Sequence, residues 1–311
     1  MSVQSVDSFT ARGTGDNAQH EPTITGLENG DFAVAWQDSQ DSLVIQGEVF
    51  TSGGASTGSF TARGTGDNNQ WDPMITGLEN GHFAIAWVNQ QDPEVVQGEV
   101  FTSGGASTGT FTARGTGDNI QLEPTITGLA NGNFAVAWTD RPYFNVVQGE
   151  VFTSGGASTG SFTVRGAGES DQEKPTITGL ENGHFAVAWE WEDDQNLEVV
   201  QGEVFTSGGA STGTFTARGT GDDSQYDPTI TDLANGNFAV AWTDDQDPQV
   251  VQGEVFTGGG ASTGTFTARG TGDDSQYDPT ITGLKNGQFA VAWEDDAPSN
   301  PVVIQGEVFT S

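Results

Sequence analysis

Large and small apolar residues alternate along this chain in short runs, and each run recurs. In the second copy, Phe83-Ala84-Ile85-Ala86-Trp87 puts Phe, Ile and Trp on one face of a strand and two alanines on the other. Before it, Asp72 to Leu78 reads as a strand entered through Pro73, where no ladder donor is needed. Asn80-Gly81 between them is a hairpin signal, because both residues tolerate positive φ. Val95 to Phe101 supplies a third strand, and the Gly-rich turn Ser103 to Gly109 leads to a fourth, Thr110 to Arg114. No stretch has the length and 3.6-residue period of an amphipathic helix, so the predicted class is all-β.

This unit is written six times. Asn-Gly-x-Phe-Ala-(Val/Ile)-Ala-Trp closes on Trp36, Trp87, Trp138, Trp189, Trp242 and Trp293, spaced 51, 51, 51, 53 and 51 residues apart. Six four-stranded units of that period predict a six-bladed β-propeller, one domain over residues 1–311. The two-faced strands suit sheets stacked face to face, the aromatic side of one against the alanine side of the next. The chain opens on a fourth strand (Asp7 to Arg12) and stops on a third (Val302 to Phe309). The N-terminal strand is therefore expected to complete the last blade and close the ring, which removes exposed sheet edges.

Charge and cysteine usage narrow the partners. With 43 acidic against 9 basic residues the net charge is −34. Such a surface repels phosphate backbones and anionic bilayers, so neither nucleic acid nor membrane insertion is expected. Cysteine is absent, which excludes disulfides, thiolate zinc sites and cysteine nucleophiles. The opening Met-Ser-Val-Gln-Ser-Val-Asp-Ser lacks the basic region and apolar core of a signal peptide, and no apolar run is long enough to span a bilayer.

The order Gln-x-x-Pro-x-Ile, Leu-x-Asn-Gly-x-Phe-Ala-Val-Ala-Trp, Val-x-Gly-x-x-Phe and Gly-x-x-x-Gly-x-Phe resembles a repeat of large secreted bacterial proteins of the haemolysin-type (RTX) and adhesin class. The resemblance spans Phe9 to Ser311 and implies an extracellular bacterial setting, with export that spares an N-terminal signal. Two departures limit it. Glu stands where that repeat usually has Arg, as in Gly47-Glu48-Val49-Phe50, and the calcium-binding glycine-aspartate nonapeptide is missing.

Variation between copies gathers in the loops after the second strand and between copies, both at one end of the strands. Aromatics beside carboxylates and amides there are what a sugar site needs. The candidate ligand residues are His20, Gln70, Trp71, Tyr143, Trp191, Gln225, Tyr226, Gln276 and Tyr277. The competing reading is that the aromatics cover strand ends and the glutamines tie loop backbone to blade. Arg12, Arg63, Arg114, Arg165, Arg218 and Arg269 recur at one position and are expected to form ion pairs inside each blade, Arg63 near Glu48 or Gln46. Two acidic loops, Asp222, Asp223 and Asp227, and Asp273, Asp274 and Asp278, offer oxygen ligands of the kind calcium takes. No nucleophile elbow, metal-ligand His pair or phosphate loop appears, and no two carboxylates stand out as a hydrolytic pair. The expectation is therefore a non-catalytic, secreted, lectin-like propeller binding extracellular glycans multivalently. The alternative is a structural subunit of a matrix, adhesin or filament that assembles with like subunits.

Overall fold

A computed structural model describes residues 8–12, 17–39, 43–63, 68–115, 117, 119–165, 170–192, 197–218, 223–268, 275–296 and 302–311. In the first copy, strands Gln19–Gly26, Phe32–Ser39, Leu43–Phe50 and Ser56–Thr61 pair in chain order as an antiparallel meander. The next four copies repeat that order, and the last has three strands, Ser275–Gly283, Gln288–Asp296 and Val303–Thr310. The fold is all-β, six sheets of three or four strands, consistent with a six-bladed propeller. By contact it divides into two compact units, Met1–Asp140 with Gly149–Ser161, and Arg141–Gln148 with Phe162–Ser311.

The Asn-Gly turns close for a local reason. Asn29 Oδ1 accepts the backbone N–H of Asp31 at 3.0 Å while Gly30 takes φ 85°. Asn80, Asn131, Asn182 and Asn235 do the same for the residue two positions on. The two-faced second strands then stack as predicted. In the first unit Ala33, Ala35, Ile45 and Val49 pack on Phe83, Ile85, Trp87 and Phe101 of the following sheet. In the second unit Ala186, Ala188, Val200 and Val204 meet Phe238, Val240, Trp242 and Phe256. Each fourth strand adds a Phe to the next sheet's pair: the Phe60 ring lies 5.1 Å from Phe83 and 4.7 Å from Phe101. The same ring fills the space over Gly47, where any Cβ would collide with it. Truncating one such Phe to Ala costs about 3–5 kcal/mol.

Several local expectations are corrected. The first strand of the second copy begins at Gln70, and Pro73 sits in a bulge rather than at an entrance: Trp71 pairs with Val88, and the next pair is Met74 with Ala86. The fourth strand is Ser107–Thr112, so Arg114 lies beyond the ladder. Gln46 pairs with Thr61, which leaves Arg63 past the strand end and out of the expected in-blade ion pair. Instead its backbone N–H donates to Glu99 Oε2 of the next sheet at 2.9 Å. Arg12, Arg114, Arg165 and Arg218 repeat this to Glu48, Glu150, Glu203 and Glu254. Those glutamates are buried, so the residue that departs from the haemolysin-type repeat fastens sheet to sheet. Arg269 lies outside the described residues.

The expected strand at residues 7–12 is not formed in its described part: residues 8–12 belong to none of the six sheets. Ile304 and Val308 on the last sheet are 72% and 58% exposed, whereas their first-sheet counterparts Ile45 and Val49 are at 0%. Phe9 lies 4.9 Å from Phe32 and 4.7 Å from Phe50.

Candidate active site

One backbone anomaly recurs in all six copies. The residue before the proline has positive φ: Glu21 50°, Asp72 52°, Glu123 54°, Lys174 49°, Asp227 51° and Asp278 50°. None is glycine, and a left-handed residue directly before proline is disfavoured on both counts, on the order of 1–2 kcal/mol for the handedness alone. The first-strand bulge imposes it, because there two residues oppose one on the second strand. Strain held at one position in every copy directs attention to what the position presents.

In the first unit it presents acid. Successive first strands lie close: the Thr25 hydroxyl accepts the Gly77 N–H at 2.9 Å, and the Thr76 hydroxyl accepts the Gly128 N–H at 3.0 Å. A Cβ on Gly77 would strike the Gly26 carbonyl, so only glycine permits the approach. Glu21, Asp72 and Glu123 consequently follow one another as a row. Glu21 Oε2 accepts the Asp72 N–H at 3.3 Å, and Glu123 Oε2 accepts the Thr139 hydroxyl at 2.7 Å. Burial, then the charges of Glu21 and Glu123, push the Asp72 carboxyl above its ordinary value.

In the second unit the position holds Lys174, Asp227 and Asp278, and Lys174 brings a cation to it. Its Nζ lies 2.7 Å from Asp227 Oδ1 and 3.2 Å from Glu190 Oε1, and the Asp227 N–H donates to Glu190 Oε1 at 2.6 Å. Burial alone would lower the Lys174 pKa, but the bond to Asp227 and the charge of Glu190 outweigh it, so the ammonium is held well above its usual range. Burial pushes Glu190 up, against the Asp227 N–H and Lys174.

The residues expected from sequence fall into three groups. Gln70, Gln225 and Gln276 are buried, their Oε1 atoms accepting the backbone N–H of Ile45, Val200 and Val251 at 2.9, 2.9 and 3.3 Å. They fasten neighbouring sheets. His20 is exposed, Trp71, Tyr226 and Tyr277 are partly exposed beside the strained position, and Trp191 is half-buried. The Ser224 hydrogen bond draws the Tyr226 phenol down, but burial, Glu198 and Asp245 together push it up further. Tyr143 is 90% exposed and meets Phe144 edge-on at 4.9 Å. Of the calcium candidates, Asp222, Asp273 and Asp274 lie outside the described residues, Asp227 is paired with Lys174, and Asp223 and Asp278 are exposed. Among the described residues no three acidic or histidine side chains are grouped as a metal shell. At the same end of the strands, a groove of about 650 Å³ is lined by Asn68, Gln90, Gln91, Asp92, Pro93, Glu94 and Ile120. The strained row went unrecognised in the sequence, although its signal, an acid or Lys174 before a proline at one place in every copy, was there.

No protein family matches the chain, and no curated protein is significantly similar to it in sequence, so the haemolysin-type resemblance finds no support. Solved structures do match. An α-L-arabinanase of Penicillium chrysogenum complexed with arabinobiose has a TM-score of 0.59 at 11% identity, over 94% of this chain and 94% of that one. An α-L-arabinofuranosidase of Fusarium graminearum, in complex with an iminosugar inhibitor, has 0.58 at 8%, over 95% and 94%. A subtype N10 neuraminidase-like protein of a little yellow-shouldered bat virus has 0.50 at 9%, over 97% and 98%. At such identities the likeness is one of fold. The arabinanase and arabinofuranosidase matches nevertheless count against the expectation of a non-catalytic lectin-like propeller or, as its alternative, a self-assembling structural subunit. Among the described residues no helix is long and apolar enough to cross a membrane.

Proposed function

We propose that this chain is a glycoside hydrolase in which Asp72 donates the proton and Glu123, held by the Thr139 hydroxyl, is the second carboxyl group of the pair. One observation carries the reading: Asp72 is strained, half-buried and pushed up by burial and by a carboxylate on either side. Cleaving a glycosidic bond takes two carboxyl groups, one protonated to serve the leaving oxygen and one ionised as base or nucleophile. Neighbouring like charges drive their protonation states apart. Burial and then the charge of Glu21 favour the proton on Asp72. Trp71, next in the chain, offers a ring face for a sugar to stack on. The fold likeness to arabinose-releasing enzymes supports arabinose oligosaccharides as the first substrates to try, and an extracellular setting with glycan partners belongs to the same reading. The test compares wild type with Asp72→Asn on linear arabino-oligosaccharides, followed by reducing-end release. Wild type should cleave and the variant should lose on the order of 10²–10⁴ in rate. Equal rates, or no cleavage of any neutral oligosaccharide by wild type, would refute the assignment.

The six sheets, on this reading, form one domain over residues 1–311 that the N-terminal segment closes. Phe9 supports this, because it sits on Phe32 and Phe50 as Phe60 sits on Phe83 and Phe101, and Phe60 comes from a fourth strand. The exposed Ile304 and Val308 lack the cover their counterparts have. Deleting residues 1–13 should therefore give oligomers in size-exclusion chromatography, with a stability loss of at least the about 3–5 kcal/mol of a lost Phe. A truncated protein that stays monomeric and melts like the intact chain would contradict closure.

A further inference from the structure

The six copies form an internal substitution series at a second position, two residues after each repeated Trp and buried in every copy but the fourth. It carries Asp38, Asn89, Asp140, Trp191, Asp244 and Asp295. In the first copy Asn17 Nδ2 donates to Asp38 Oδ1 at 2.9 Å, and in the third Asn119 Nδ2 donates to Asp140 Oδ2 at 2.9 Å. Each of these buried aspartates thus receives an amide donor from the segment before the first strand.

The fifth copy breaks the rule. Asp223 stands where the first and third copies have Asn17 and Asn119, so an amide donor has been replaced by an acceptor-only carboxylate. Asp244 is 1% exposed, and neither of its carboxylate oxygens makes a hydrogen bond. The Gln246 N–H and the Trp242 indole are turned towards it, short of normal bonding geometry, while Asp223 and Asp245 add like charge. Asp245 is occupied elsewhere, its Oδ1 accepting Gln249 Nε2 at 2.7 Å. The Asp245 N–H donates to the Ser224 carbonyl at 2.8 Å, which sets the Asp223 segment beside Asp244, and a buried carboxylate beside a second one needs a positive partner or a proton. Asp223 is exposed and gives a route in from solvent.

We propose that Asp223 and Asp244 together bind a hard divalent cation of the calcium class, with water completing its shell. Oxygen-only ligation, mixed carboxylate and water, is what such a cation accepts. Asp223 was among the sequence candidates. Asp244 lies inside a strand, where the alternating pattern hid it, and it replaces the Lys174-paired Asp227 as second ligand.

The test is calcium titration calorimetry with parallel melting curves, on the full chain stripped with chelator and on Asp223→Asn. That variant recreates the pair already present in the first and third copies, so it should fold. Wild type should bind calcium and gain several degrees in Tm when the cation is in large excess over its Kd. The variant should bind one equivalent fewer and melt higher than wild type in chelator. The proposal fails if the variant binds as many equivalents as wild type. It fails equally if wild type responds to sodium chloride at matched ionic strength as it does to calcium. A wild type that binds no calcium but melts higher as the pH falls would assign the pair a shared proton instead.

Discussion

The same strained bulge serves opposite electrostatics in the two units. In the first it lines up Glu21, Asp72 and Glu123, and the middle carboxyl is pushed up by burial and then by its neighbours. In the second Lys174 takes the position and neutralises Asp227 and Glu190. The backbone is the constant, with φ between 49° and 54° throughout, so the bulge is a mount and the side chain decides what is mounted. One mount holds a row of like charges, the condition of a reactive site, and the other a charge-paired cluster, the condition of a structural one.

Making the second cluster resemble the first should have the larger effect on stability. Lys174→Glu leaves Glu190 and Asp227 without a counter-charge and adds a third carboxylate. The lysine side chain is 45% exposed. The loss is therefore expected to fall below that of a fully buried pair, at about 1–2 kcal/mol, read as a lower urea midpoint at unchanged slope. A variant as stable as wild type would show that Lys174 neutralises nothing of consequence.

A smaller effect should appear with pH. Burial is the leading cause of the rise at Asp72, Asp140, Asp232, Asp244 and Glu190. Each takes up a proton on folding between its unfolded value, 3.8 for Asp and 4.5 for Glu, and its higher folded one. Stability is then recovered as pH falls through the folded value, and the gain is complete below the unfolded one. Lys174 has its folded pKa raised from 10.5, so its contribution is fully present below that and does not change in the acid range. Tm should rise on mild acidification from neutral, and rise less in Asp72→Asn. A Tm that only falls as pH is lowered would contradict the burial of these groups as charges.

Where the sequence was readable, the reason was periodicity. Phe83-Ala84-Ile85-Ala86-Trp87 announces both its strand and its two packing partners, because a period of two leaves no other arrangement that buries the aromatics. Interactions between copies were not readable in the same way. Glu48 and Glu99 look alike in a repeat, so nothing in the string told whether Arg63 meets its own sheet or the next one. Gln70 is equally a sugar ligand and a fastener by chemistry, and only its burial decides. Asp72-Pro73 reads as a strand entrance or as a bulge, and the register alone distinguishes them. With 43 acidic residues no carboxylate pair could be singled out, whereas burial and like-charge crowding at one of the strained positions single out Asp72.

The most direct measurement is a carbon-13 carboxyl NMR titration of Asp72, in wild type and in Glu21→Gln/Glu123→Gln. In wild type the carboxyl should titrate above the ordinary aspartate value of 3.8, and in the double variant its midpoint should move down, with the part due to burial remaining. An Asp72 that titrates at the ordinary value, or that does not move when both neighbours are neutralised, would contradict the acid row as a chemical site.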